Sequence, residues 1–255
     1  MNEDTASVLE TTSPLQNLPI FSKAYWHLAS KNFSDLKMIV FAALILALRV
    51  GVKPLGIQLA PGLKLSFDCY VNSLGSICYG PLVGLAVGAI SDTLGCLLFP
   101  SGPYFFPFIF VEMASSFIFA LFLWKRTLTP LRVLFSKFTV NLICNIIMTS
   151  LLMKWDYYFF YGLKEARAYS LINLVRIGKN LVLFPLEAVL ITIIIGALTP
   201  ALRSLRLLPR TQEKITFRAA DIITVAILLV VSVGLILFYI FFLKDFLSAH
   251  NITLG

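Results

Sequence analysis

Charge is what this sequence has least of. Only 13% of its 255 residues are Asp, Glu, Lys or Arg, 58% are hydrophobic, and mean hydropathy is +0.87. A soluble domain has about a quarter of its residues charged. The polar surface is too small to cover a water-soluble globule of this size, and the chain reads as an all-α integral membrane protein. No polar stretch exceeds about 35 residues, so a separate soluble domain is not expected. Histidine is almost missing: His27 and His250 sit near opposite ends and form no cluster. The four cysteines, Cys69, Cys78, Cys96 and Cys144, have no CxxC spacing and no histidine neighbour. They read as buried apolar thiols rather than disulfides or metal ligands. There is no GxxxxGK[ST], HExxH or GxSxG sequence, which leaves nucleotide hydrolysis and the corresponding hydrolase chemistries without a site here. Catalytic residues, metal and cofactor are therefore all expected to be absent. Residues 1–20 carry Glu3, Asp4 and Glu10 and no apolar core, so they read as an exposed tail and not a signal peptide.

What is present is a series of apolar runs. Candidate spans are 38–60, 66–80, 82–99, 104–124, 133–153, 177–199 and 222–243, the second and third short and joined through Gly80 and Pro81. The last has no charge and would make a helix of about 33 Å, enough to cross a bilayer. With the N-terminus cytoplasmic, twelve of the 21 Lys and Arg fall on the inner side, including the clusters Lys125–Arg126 and Arg203 to Arg218. That favours N-terminus inside and C-terminus outside. The net charge of +8 is spread over loops on both sides with no soluble platform. Anionic lipid headgroups explain the inner part better than nucleic acid does.

Several residue groups are candidates for function. Ala43 and Ala47 lie four apart on one face of the first span, beside Ala42, and mark a helix-packing surface. Gly80, Gly84 and Gly88 make a GxxxGxxxG row suited to internal packing. Asp92, Glu112 and Glu187 are acids at membrane depth, where a carboxylate needs a cavity or a cation. By position their partners would be Arg49, Lys64, Arg176 or Lys179. Aromatics gather on the outer side: Phe67, Tyr70, the run Tyr104, Phe105 and Phe106, and the stretch WDYYFFYG, expected in a loop with Lys154 and Lys164. Aromatics with cations suit a flat, anionic, conjugated ligand. Arg176, Lys179 and Asn180 fall within little more than a turn, with Arg176 and Asn180 on one face, placed to hold a carboxylate arriving from outside.

The segment LKLSFDCYVNSLGSICYGPLVGLAVGAISDTLG, then PSGPYFFPF, then RIGKNLVLFPLEAVL resembles the substrate-binding S components of energy-coupling factor (ECF) vitamin transporters, most closely the folate family. The resemblance implies a six-helix unit over 36–200 in a bacterial cell membrane that captures folate or a related vitamin at its outer face. It further implies docking on a transmembrane coupling subunit (the T component) that carries two ATPases, and translocation by toppling within the membrane. Ala43 and Ala47 map onto the family's contact with the coupling subunit. The regions that enclose the vitamin contain Lys64, Phe67, Tyr104, Phe105, Phe106, Asn145 and Arg176, with Asp92 or Asn145 expected at the pterin and Lys64 or Arg176 at the glutamate tail. The tail 1–35, the basic cytoplasmic loop 201–218 and the segment 219–255, with an additional transmembrane helix and a short outer tail, lie outside the six-helix unit.

Other readings remain open at this level. S components of one fold bind chemically different vitamins. A membrane enzyme using Asp92, Glu112 and Glu187 would place its acids on three helices with no DxxD or ExxH pattern. A stand-alone secondary transporter or channel would often show an inverted repeat, and none is visible between 36–120 and 133–243.

Overall fold

The computed structural model describes residues 19–60, 63–100, 104–162, 174–208 and 219–238. Pro103, Lys164, most of the basic loop and the last residues of the 222–243 span lie outside these. The described chain is helical apart from one short hairpin. Helix α1 (Lys23–Lys31) starts where Ser22 Oγ accepts the Ala24 N–H. Helix α2 (Leu36–Val52) starts where Asp35 Oδ1 accepts the Lys37 N–H at 3.0 Å. Both are side-chain N-caps. The sequence reading carries the first span to residue 60, but α2 ends at Val52. Pro54 has no N–H to continue the helical ladder, and the next residues form strands β1 (Gly56–Ala60) and β2 (Leu63–Ser66), antiparallel with Ile57 opposite Leu65.

Helix α3 (Asp68–Leu98) is broken at Gly80, whose φ is 79° and ψ −174°. As expected from Gly80 and Pro81, the segment is two arms. They fold back on each other: Arg49 of α2 binds Asp68 in the first arm, and Lys53, one turn further on, binds Asp92 in the second. A straight helix would separate Asp68 from Asp92 by about 36 Å. Glycine is required at this bend, because an L-residue resists positive φ and a Cβ there would lie 2.7 Å from the Trp124 ring. The bend exposes backbone, and Asn32 Nδ2 donates to the freed Tyr79 carbonyl at 2.9 Å.

A short 3-10 turn (Phe106–Phe108) leads into α4 (Ile109–Leu123), followed by α5 (Pro130–Tyr161), α6 (Leu174–Ser204) and α7 (Ala219–Phe238). The middle of α5, Asn141–Met148, is wound as a π-helix. Its last part, Thr149–Tyr161, contains the aromatic stretch that the sequence places in a loop. The helix runs on because nothing between Thr149 and Gly162 is a helix breaker, and Gly162 then stops it with φ 94°. Among the described residues, four segments are long and apolar enough to cross a membrane: α3, Phe106–Leu123, α5 and Arg176–Ser204 of α6.

The core lies where both arms of α3 meet α4, with Tyr79, Phe119, Leu123 and Ile191 of α6 buried in it. Gly88 allows this approach: a Cβ there would sit 2.7 Å from the Glu112 carbonyl oxygen, on the α4 backbone. Helix α7 packs outside, on α6. The second half of the 1–35 tail is docked on the bundle. Tyr25 of α1 is buried edge-on against Trp124 at 4.9 Å, and Trp26 stacks on Phe117. Burial pushes the Tyr25 phenol up to about 12.

The glycine row separates into positions with different demands. Gly80→Ala should destabilise by about 1–2 kcal/mol from the backbone alone, and Gly88→Ala should destabilise by pushing α3 off α4. Gly84→Ala should be nearly neutral, its Cβ meeting Tyr79 at an ordinary 3.4 Å. Thermal unfolding of the three variants in detergent checks this order.

Candidate functional site

The last turns of α2 carry Arg49 and Lys53 on one face, four residues apart. Arg49 is fully buried. Its Nε and Nη2 donate to Asp68 Oδ1 and Oδ2, both at 3.0 Å. Nη2 also donates to Glu112 Oε2 at 2.6 Å, and Nη1 to Ser116 Oγ at 3.1 Å. Ser116 Oγ passes its own proton to Asn72 Oδ1 at 2.8 Å, and Asn72 Nδ2 donates to Ser115 Oγ at 3.1 Å. The guanidinium thus joins α2, the first arm of α3 and α4 with its polar neighbours saturated, which a buried charge demands. Asp68, Asn72 and Ser76 recur every fourth residue on one helix face. That spacing was a legible signal for a partner of Arg49, and attention to the three deeper acids passes over it.

Above this network a cavity of about 770 Å³ opens at the end of the bundle. Its size is that of a small-molecule site. Of the residues singled out from sequence, Lys64, Asp92, Tyr104 and Phe105 line it, together with Lys53, Asp156 and Tyr161. Lys53 Nζ lies 3.5 Å from Asp92 Oδ1. The lysine stem passes over Gly95, where a Cβ would come within 2.5 Å of Lys53 Cδ. Asp92 Oδ2 is buried with no hydrogen-bond partner among the described residues. Tyr104 OH is 3.4 Å from Thr93 Oγ1. Phe105 is an aromatic hub, 5.9 Å from the Phe108 ring, 6.1 Å from Phe159 and 6.2 Å from Phe160. Lys64 has no acidic partner among the described residues. The wall thus offers aromatic faces, the Asp92 carboxylate and the Lys64 ammonium.

The remaining candidates lie elsewhere. Phe67 packs near Tyr70, 6.1 Å between rings, at the start of α3. Asn145 Nδ2 donates to Asn180 Oδ1 at 3.2 Å and to Asn141 Oδ1 at 3.0 Å. Asn180 Nδ2 donates to the Arg176 carbonyl at 2.9 Å. Asn145, Arg176 and Asn180 therefore belong to a polar seam between α5 and α6, their amides engaged with one another, and they are not among the residues lining the cavity.

The acids found their partners, two of them not those expected. Glu112 pairs with Arg49, as position suggested. Asp92 pairs with Lys53. Glu187 pairs with Lys137 at 2.9 Å, both buried, and Lys137 is not among the partners expected by position. The reason is where α5 starts: Thr129 caps the helix, its Oγ1 accepting the Arg132 N–H, and Pro130 opens it. Lys137 is thereby two turns inside the bundle. Ala43 and Ala47 are exposed on α2, flanked by exposed Val40, Leu44 and Leu48, while Ala42, Ile45 and Arg49 face the core.

The family of ECF transporter substrate-specific components matches residues 37–200 of this chain. The folate transporter FolT of Clostridium novyi (strain NT) is 26% identical over 154 residues, 60% of this chain and 84% of that protein. FolT of Leuconostoc mesenteroides subsp. mesenteroides is 29% identical over 154 residues, with 60% and 81% covered. A crystal structure of FolT bound with folic acid aligns with a TM-score of 0.50 at 26% identity, covering 60% of this chain and 88% of that one. Helices α1 and α7 lie outside the matched segment.

Removing the central guanidinium has a definite expected cost. Arg49→Met leaves the half-buried Asp68 and Glu112 facing each other without their cation, a loss of at most about 3–5 kcal/mol. A fall in apparent Tm should result, and adding Asp68→Asn to Arg49→Met should recover part of it.

Proposed function

Because the chain belongs to the family of ECF transporter substrate-specific components, we propose that it binds folate in the cavity roofed by Tyr104 and Phe105. The observation that carries this reading is the pairing of aromatic faces with Asp92 and Lys64 around one space of about 770 Å³. A pterin stacks on aromatic rings through its π-face, and its ring and exocyclic N–H groups suit a carboxylate acceptor, here Asp92. The glutamate end carries carboxylates, for which Lys64, lining the cavity and without an acidic partner among the described residues, is a suitable cation. Such hydrogen bonds to charged groups contribute about 1.5–3 kcal/mol each. The relatives named folate transporters support the choice of vitamin.

In this reading the cavity opens outward and the N-terminus is cytoplasmic, consistent with the inner clusters of Lys and Arg. The six-helix unit 36–200 is the vitamin-binding part. The exposed small-residue face of α2 at Ala43 and Ala47 docks on a transmembrane coupling subunit, and ATP is hydrolysed by separate ATPase subunits. Small residues allow another helix to approach closely in lipid. That face is free to do so because Arg49 and Ile45 hold the opposite face of α2 in the core.

Isothermal titration of purified protein with folate should give one-to-one binding without ATP. Asp92→Asn and Phe105→Ala should each weaken it at least tenfold, and Lys64→Gln less. Binding of another vitamin with no response to folate would reject the ligand and keep the family. Ala43→Leu with Ala47→Leu should leave folate binding intact and abolish uptake into vesicles that contain the coupling subunit and ATPases. Uptake at the wild-type rate by that variant would remove the docking assignment.

A further inference from the structure

A second cavity, of about 210 Å³, lies at the opposite end of the bundle from the vitamin cavity. Three parts of the chain converge on it: Asn32 between α1 and α2, Trp124 and Lys125 after α4, and Arg206 after α6. Its lining contains two cations and no carboxylate. Lys125 and Arg206 are also the two non-glycine residues with positive φ among the described residues, at 51° and 56°. A non-glycine side chain in that region costs free energy that the surroundings must offset.

A cation beyond a helix C-terminus complements the helix dipole and by itself needs no ligand. Here the arrangement goes further. Two such ends meet at one crevice, and both present a base where glycine would be less strained. Lys125 sits 5.1 Å from the Trp124 ring centroid, half-buried. Burial, and after it the charge of Lys31, pull its ammonium below the ordinary range. An anion in the crevice would reverse that shift. Within the same final turn of α6, Arg203 Nε and Nη2 are buried with no acceptor among the described residues. The crevice is therefore a concentration of positive charge without a counter-ion from the lining. Around it Phe21, Phe33 and Leu36 are exposed, 99%, 47% and 73%, with Lys23, Lys31 and Lys37 among them. Exposed aromatics and aliphatics mixed with lysines are the composition of a membrane-interface segment.

We propose that this crevice binds a phosphate group, presented by an anionic phospholipid headgroup or by a soluble phosphate ester, between Lys125 and Arg206. The mixed lining suits a headgroup: polar at the two cations and Asn32, apolar at Trp124 and Leu207. None of these residues lines the vitamin cavity, and Asn32 and Arg206 lie outside the matched family segment, so the site goes beyond vitamin binding.

The test uses the full chain in nanodiscs of phosphatidylcholine, with or without phosphatidylglycerol, followed by native mass spectrometry of retained lipid. Wild-type protein should retain phosphatidylglycerol in preference to phosphatidylcholine. Each cation removed should weaken retention about fivefold, so Lys125→Gln with Arg206→Gln should lose about 25-fold, and Lys125→Arg with Arg206→Lys should retain it. In detergent, glycerol phosphate and inorganic phosphate are titrated at constant ionic strength while apparent Tm is recorded. Stabilisation by these soluble anions, lost in the Gln variant, would support the site and identify the free phosphate as sufficient. Retention of phosphatidylglycerol without any soluble-phosphate effect would support the site and assign it to lipid. Equal retention in wild-type and Gln variant overturns the proposal. Should the Gln variant fail to fold, wild-type protein showing neither lipid preference nor a phosphate-induced shift overturns it equally.

Discussion

The buried guanidinium of Arg49 is the constraint on which the rest depends. A charge this deep is tolerated only with its donors satisfied. Asp68, Glu112 and Ser116 supply that from three directions. Meeting Asp68 and Glu112 together forces the first arm of α3 and the start of α4 against the end of α2. Because Asp68 is held there, the chain must turn back at Gly80 to bring its second arm to the same level. The positive φ of Gly80, the Trp124 ring against it and the Asn32 hydrogen bond to Tyr79 all follow from that reversal.

The cavity lined by Lys64, Asp92, Tyr104 and Phe105 is built on this floor. One turn beyond Arg49, Lys53 reaches over Gly95 to Asp92 and leaves the second carboxylate oxygen unclaimed. The 3-10 turn before α4 and the helical end of α5 then bring Phe105 to Phe159 and Phe160, closing an aromatic wall above the polar floor. The same anchoring leaves the other side of α2 exposed, with its small residues free to meet another helix. In the proposed reading, ligand capture and docking use two faces of one helix, which allows either to be altered separately.

Much of the fold was legible in the residues. Apolar length marked the spans, and Gly80 with Pro81 marked the break in α3. The row Gly84 and Gly88 marked a close packing face, although only at Gly88 would a Cβ meet backbone closer than ordinary van der Waals contact. The limit of α2 was harder, since 53–60 is as compatible with a helix end as with a hairpin until Leu65 and Ile57 pair. WDYYFFYG is expected in a loop, yet with no Gly or Pro before Gly162 the run simply continues the helix. Half of the candidate ligand residues lie around one cavity. Asn145 and Asn180 do not, because each amide has the other as partner.

By itself, then, the sequence determined the solvent, the approximate spans, the bend and the stock of aromatic and charged groups, all consequences of composition and short-range spacing. Only the tertiary structure decided which charges meet. Lys53 takes Asp92, Lys137 takes Glu187, and Arg49 takes two acids 19 and 63 residues away. Along a chain, spacing constrains neighbours within about a turn of helix. Ion pairs between helices depend on where each helix starts and how it is rotated, and packing around a desolvated charge sets both.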